Sequence, residues 1–193
     1  MRRANLKDKK LVVDILTSAF EPQKEENSIN LIVKQDQNRV QRMRILMGYL
    51  FERAMLFGEV LISDNEKACL LIKYGHKEKT TFKTIKLNVQ LAVKCIGIER
   101  LYKVLKRQQV AKKNYPKEQY ISPMILGAKK EVNGKGTAAR LIIKVMHHFK
   151  GNQLPVILDA ASLRNVKLYQ KFGFRIIKKD DSLGFPIYFL RLN

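Results

Sequence analysis

The run Asn133-Gly134-Lys135-Gly136-Thr137-Ala138 could bind an anion without one reactive side chain. It follows the apolar residues 121–128 and opens into Ala138, Leu141, Ile142, Val145 and Phe149 at helical spacing, so it reads as strand, glycine turn and helix start. At a helix start the first backbone N–H groups have no partner within the helix, and the dipole adds positive potential. Gly134 and Gly136 let that backbone approach a ligand closely. Two glycines also serve a plain connection, and a second segment favours the anion site. Residues 158–174 read as the end of a buried strand and then a helix over 162–172 closed by Gly173. That helix carries Tyr169, whose phenol can donate a proton, and Asn165, whose amide can bridge polar groups; each could equally be an ordinary helix residue.

Together the two segments resemble the acyl-CoA-binding core of the GNAT superfamily of N-acetyltransferases, over residues 121–174. The family's turn reads Q/R-x-x-G-x-G/A, and Asn133, Gly136 and Ala138 occupy its three defined positions. Asn133 is shorter than the family's Gln or Arg, which leaves the backbone of Gly134, Lys135, Gly136, Thr137 and Ala138 to hold the CoA pyrophosphate. LYQKFGF, residues 168–174, is similar to the second motif, in which a tyrosine stands near the CoA sulfur; Tyr169 takes that place. The resemblance implies an α/β fold with a mixed, mostly antiparallel sheet flanked by helices. Its parallel fourth and fifth strands would splay to admit the pantetheine arm, which would pair with Leu126, Gly127 and Ala128. It further implies acetyl-CoA as cosubstrate, no metal, and direct attack by a primary amine. Tyr169 would act as general acid toward the departing thiolate, and a backbone N–H near Ala128 would polarise the thioester carbonyl. A non-catalytic acyl-CoA-binding member would carry the same motifs.

The general base is not fixed by the sequence. An amine must be neutral to attack, and Glu118, at the entrance to the fourth strand, is the named candidate. Glu59, Asp159 or a chain of waters would also serve, while His76, His147 and His148 have no visible partner.

The elements around these residues follow from periodicity and turn chemistry. Residues 1–4 suit a short strand, and Asn5 with Asp8 three positions on suits a capped helix bearing Leu11, Val12, Ile15, Leu16 and Ala19. Residues 21–28, with Pro22, read as a loop; Val40, Met43, Met47, Leu50, Phe51 and Ala54 mark a second helix ending at Phe57-Gly58. Residues 59–63 and 67–74 flank Asp64-Asn65 as a hairpin. The stretch 75–116 is an insertion before the fourth strand: Ile85 to Ile96 fits a helix, although Leu87, Val89, Leu91 and Val93 also alternate as a strand would, and Leu101 to Val110 fits a second helix. Pro123 predicts a bulge or an unpaired position in the strand 119–128. Residues 174–179 and 186–191 read as a closing hairpin. Extra helices before the fourth strand make the layout most similar to the small-amine and antibiotic acetyltransferases, which implies a small-molecule amine acceptor whose pocket the insertion shapes.

Composition bounds the rest. The chain has 193 residues, 46% of them hydrophobic, enough for one domain with its own core. Cys69 and Cys95 sit in apolar segments without metal-ligand spacing, as buried thiols of a reducing, cytoplasmic compartment would. No apolar run reaches the roughly 20 residues of a membrane span, and no membrane partner is expected. The net charge of +21 is shared between both halves, with no aromatic-interleaved basic stripe, which argues against a nucleic-acid partner. Its field would speed capture of anionic CoA. Oligomeric state stays open, homodimer included.

Overall fold

The computed structural model describes residues 1–193 around a seven-stranded sheet. Asn5 and Asp8 form a reciprocal capping box, Lys7 N–H donating to Asn5 Oδ1 at 2.9 Å and Asn5 N–H to Asp8 Oδ2 at 2.8 Å. From that start α1 (Lys9–Phe20) buries Val12, Val13, Ile15 and Leu16. A five-residue helix, α2 (Ser28–Ile32), follows the loop; the sequence pattern did not announce it, because five residues carry too little periodicity. α3 (Arg39–Phe57) buries Met43, Leu46, Met47, Phe51 and Ala54, so its methionines are core.

The strands are β1 (Arg2–Arg3), β2 (Gly58–Ile62), β3 (Ala68–Tyr74), β4 (Ile121–Ala128), β5 (Val156–Ala160), β6 (Arg175–Asp180) and β7 (Ile187–Leu192). Their order is β1-β2-β3-β4-β5-β7-β6, and every neighbouring pair is antiparallel except β4 with β5. The closing hairpin forms as expected, but β7 lies inside it against β5, leaving β6 at the edge.

Helices cover both faces. α1 and α3 pack on β2, β3 and β4 in the largest core cluster, where Ile125, Cys69, Leu71, Val60 and Ile62 meet them. The opposite face is covered by α6 (Thr137–His148), with Leu141 and Val145 on Leu61, Leu70, Ile72 and Ile121, and by α7 (Leu163–Lys171), with Val166 on Leu158 and Leu190. The insertion resolves its own ambiguity as helix. α4 (Phe82–Leu91) begins in a Thr81–Thr84 capping box and continues as a wider π turn through Ala92–Ile96, because alternation alone could not bury Thr84, Leu91, Cys95 and Ile96 together. After Gly97 the chain forms α5 (Leu101–Asn114), whose Val110 packs on Ile187 and Phe189.

Gly58 joins α3 to β2 where no side chain fits: a Cβ there would stand 1.9 Å from the Ile72 carbonyl oxygen. Backbone cannot step aside as a flexible side chain can. Gly58→Ala should therefore cost about 3 kcal/mol, the upper end of overpacking, seen as a fall of roughly 6–12 °C in the thermal midpoint; an unchanged midpoint would mean that the α3–β2 junction relaxes freely.

Candidate active site

The site begins where β4 loses a neighbour. β4 and β5 share a single register pair, Ile121 with Val156, and Ile121 N–H donates to the Pro155 carbonyl at 2.9 Å. Beyond it the strands part. On the other side Lys129 N–H donates to the Lys67 carbonyl at 2.8 Å, which sets the alternation of the antiparallel ladder. Gly127 and Ile125 then bond toward β3, and the main-chain groups of Leu126 and Ala128 point into the gap. A register shift between Leu71 and Ile72 leaves Met124 as the extra residue beside Pro123, which is the bulge that proline predicts. Gly127 has another duty: a Cβ there would lie 2.8 Å from Leu16 Cδ2, so glycine lets α1 rest on β4.

The glycine turn closes the open end. After a short 3-10 turn over Lys130–Val132, Gly134 and Gly136 adopt φ of +76° and +73°, left-handed conformations in which a side chain would be strained. Among the turn's amides, Asn133 N–H bonds the Lys130 carbonyl and Lys135 N–H the Val132 carbonyl. The N–H groups of Gly134, Gly136, Thr137, Ala138 and Ala139 have no backbone acceptor within the chain. Amides that face outward at the start of a 12-residue helix suit a phosphate group, and nothing within 4 Å would fill the space at Gly134. Arg140 reaches back over the turn, its Nη2 3.5 Å from Thr137 Oγ1 and its Nη1 3.4 Å from the place of a Cβ on Gly136. Sequence reasoning passed over Arg140, although its place in the first turn of the helix, beside an anion cradle, was a usable signal. Asn133 and Lys135 are exposed, with no hydrogen bond from either side chain.

Tyr169 is half-buried on α7, its ring edge-on to Phe174 at 5.6 Å, and its hydroxyl makes no hydrogen bond within the chain. Burial, and secondarily the Asp159 carboxylate, push its phenol up to about 12. It stays protonated at any physiological pH, as a proton donor must. Asn165 is exposed on the same helix. The three carboxylates named from sequence part company. Glu118 is exposed and ion-paired with Arg191. Glu59 accepts from Tyr74 Oη at 2.5 Å and is ion-paired with Arg3 Nε at 2.8 Å, near the β1 edge and away from the gap. Only Asp159 stands on β5, beside the widening gap.

Asp159 heads a network that sequence reasoning missed. One oxygen accepts from Tyr115 Oη at 2.8 Å and the other from the Arg107 guanidinium, whose Nε also donates to Ser28 Oγ at 3.0 Å. Tyr115 packs edge-on against Phe189, and burial, with the Asp159 charge, raises its phenol well above the usual value. Arg107 and Tyr115 come from the insertion, where they read as part of a solvated basic helix and its stop; no local pattern joins them to a residue 52 and 44 positions away. The network ties α5, β5 and the start of α2 together. A separate cleft of about 330 Å³ has walls that include Lys24, Glu26, Asn27, Tyr102, Lys103 and Phe185, and none of the network residues lines it. The loop that forms one wall is held by Arg39, which donates to the Glu21 and Gln23 carbonyls, and by Arg100, which donates to those of Asn30, Leu31 and Val33.

A sheet that splays between its one parallel pair, with a phosphate-type turn at the open end, has close structural counterparts. A histone acetyltransferase HPA2-related acetyltransferase from Corynebacterium glutamicum superposes with a TM-score of 0.65 at 17% identity, over 98% of this chain and 93% of that one. The fold is that of the GNAT-type acetyltransferases. Arylalkylamine N-acetyltransferase 2 from Aedes aegypti shares this GNAT fold, with a TM-score of 0.64 at 14% identity over 99% and 96% of the two chains. So does the C-terminal condensation domain of Ebony, solved with beta-alanyl-dopamine, with a TM-score of 0.68 at 10% identity over 99% and 96%. No protein-family model and no curated protein matches the sequence. The likeness is therefore one of GNAT architecture.

If the Arg107–Asp159 pair holds the insertion onto β5, removing one partner leaves the other charge half-buried and unpaired. Asp159→Ala should cost about 2 kcal/mol, a buried-pair penalty reduced for partial exposure. The double variant Asp159→Ala/Arg107→Ala should cost clearly less than the sum of the two single ones. Additive losses in thermal unfolding would show that the two side chains stabilise the fold independently.

Proposed function

We propose that the protein transfers an acetyl group from acetyl-CoA to the primary amine of a small molecule, by direct attack while both are bound. What supports the reading is the run of partnerless backbone at one end of β4: Leu126 and Ala128 along the gap, then Gly136, Thr137, Ala138 and Ala139 at its mouth. An acyl thioester on an extended arm that ends in phosphates fits this arrangement, since the gap offers ladder hydrogen bonds and the turn offers unpaired amides. When bound, acetyl-CoA supplies an activated acyl group.

The chain's own residues then divide the work. Gly134 to Ala139 and Arg140 hold the phosphate end. Leu126 and Ala128 orient the arm, and the Ala128 N–H is the donor aimed at the thioester oxygen. Tyr169, protonated and with a free hydroxyl, gives its proton to the sulfur as the C–S bond breaks. The amine's own proton leaves through water, because Glu118 is engaged in an exposed ion pair with Arg191 and Asp159 is held by Arg107 and Tyr115. This reading moves the base role away from Glu118. The cleft between the loop after α1 and α5 of the insertion receives the acceptor, and its size suits a small amine rather than an extended peptide. The arylalkylamine acetyltransferase among the structural counterparts acts on such an amine.

Two measurements test the proposal. At about 100 times its dissociation constant, acetyl-CoA should stabilise the protein by roughly 2.7 kcal/mol, about 5–11 °C in thermal midpoint. ATP at the same concentration should do much less, and equal shifts would reduce the effect to charge. In an amine screen, Tyr169→Phe should lower kcat by about 100-fold with KM for acetyl-CoA unchanged. Because the Tyr169 phenol titrates near 12, the wild-type rate should show no alkaline fall below about pH 10. A Tyr169→Phe enzyme with full kcat would remove Tyr169 from the chemistry.

A further inference from the structure

α4 is apolar on two opposite sides. Its inner side is fixed to the core by Thr84 and Leu91 and, in the turn that follows, by Cys95 and Ile96. Tyr49 Oη adds a hydrogen bond to Asn88 at 2.9 Å. The outer side carries Phe82, Ile85 and Val89, and the π turn that follows adds Val93, at intervals of three and four residues, exposed by 94%, 48%, 57% and 61%. Residues so spaced form one stripe along a helix. A surface helix of a globular protein ordinarily places polar residues there, and a contiguous exposed apolar stripe marks an interaction surface. Past Gly97 the exposed apolar residues continue with Ile98 and Tyr102.

The charges around the stripe identify what meets it. Lys77, Lys79, Lys83, Lys86 and Lys94 are all exposed; of the two carboxylates, Glu78 is taken by Arg53 and Lys73, and Glu99, beyond Gly97, by Lys34. Of the five lysines, Lys83 has a loose contact with Glu52 at 3.5 Å, and Lys77 lies over the Tyr74 ring at 4.4 Å. A second copy of a chain with net charge +21 would bring like charge against like charge, which disfavours self-association through this face. A convex row of protruding apolar side chains rimmed by lysine needs no complementary pocket; it needs an apolar layer beneath a negative surface. We propose that α4 docks the protein peripherally on an anionic lipid bilayer, Phe82, Ile85, Val89 and Val93 entering the interface and the lysines meeting lipid phosphates. This is a surface contact rather than a span, and it is independent of the acetyl-transfer site.

The chain contains no tryptophan, so Phe82→Trp provides a single reporter, with Ile177→Trp, exposed on the edge strand β6, as its control. With phosphatidylcholine vesicles containing phosphatidylglycerol, the emission of the Phe82→Trp protein should shift to the blue and that of the Ile177→Trp protein should not. Vesicles of phosphatidylcholine alone should give neither shift. The uncharged double variant Phe82→Ser/Val89→Ser should partition at least about tenfold more weakly in co-sedimentation, with its thermal midpoint and acetyl-CoA response unchanged. Equal shifts in both tryptophan variants, or full binding by the double variant, would reduce the effect to general adsorption of a basic protein and overturn the proposal. Failure to bind anionic vesicles would overturn it in favour of an acidic protein partner. A dimer in sedimentation equilibrium that the double variant dissolves would assign the stripe to a second copy.

Discussion

Along β4 the backbone pairs with β3 over the whole strand, broken only at the bulge, and on the other side its pairing stops after a single register pair. Buried main-chain groups without partners are costly, so a sheet tolerates such a gap only where something else enters it. The remaining architecture accommodates this one defect. The bulge at Met124 lets Pro123 sit in the strand, Gly127 lets α1 brace β4 from one face, and β7 pairs along the whole of β5, so that strand is held although its other neighbour has left.

Much of this was legible in the sequence because it is local. Capping at Asn5, the hairpin around Asp64-Asn65, the glycine turn and the Tyr169 helix each depend on residues within a few positions of one another, and there spacing encodes geometry directly. Pro123 announced its bulge for the same reason: a missing N–H has a consequence at that position. What did not show was non-local. β7 lying between β5 and β6 depends on which strand edge is free, and the Arg107–Asp159–Tyr115 network depends on an insertion folding back onto β5. Helix and strand were in true competition over Leu87 to Val93, since alternate residues there are apolar. Burial of Thr84, Leu91 and Cys95 against α3 decided it, and part of the alternating pattern, Val89 and Val93, belongs to the outer stripe.

Part of the chain's positive charge is structural. Arg39, Arg42, Arg53, Arg100 and Arg107 are buried or half-buried and each bonds carbonyls or carboxylates, so their planar forks act as structural connectors. Exposed lysines on α4, α5 and the glycine turn carry much of the outward field. Net charge alone therefore misdescribes the molecule, because part of it is consumed in holding loops together.

That division separates capture from selection. Arg39 and Arg100 grip five main-chain carbonyls of the loop and of α2 beside the cleft, those of Glu21, Gln23, Asn30, Leu31 and Val33. A guanidinium keeps its charge at any accessible pH, and contacts this short and shielded are little screened by salt, whereas a lysine field weakens within a Debye length of roughly 8 Å at physiological ionic strength. Changing salt thus alters how often an anionic ligand arrives and leaves the contour of the cleft intact. Under the proposed acetyl transfer, discrimination among acceptors and speed of encounter would be two separately adjustable properties of the same chain, one resting on its buried arginines and the other chiefly on its exposed lysines.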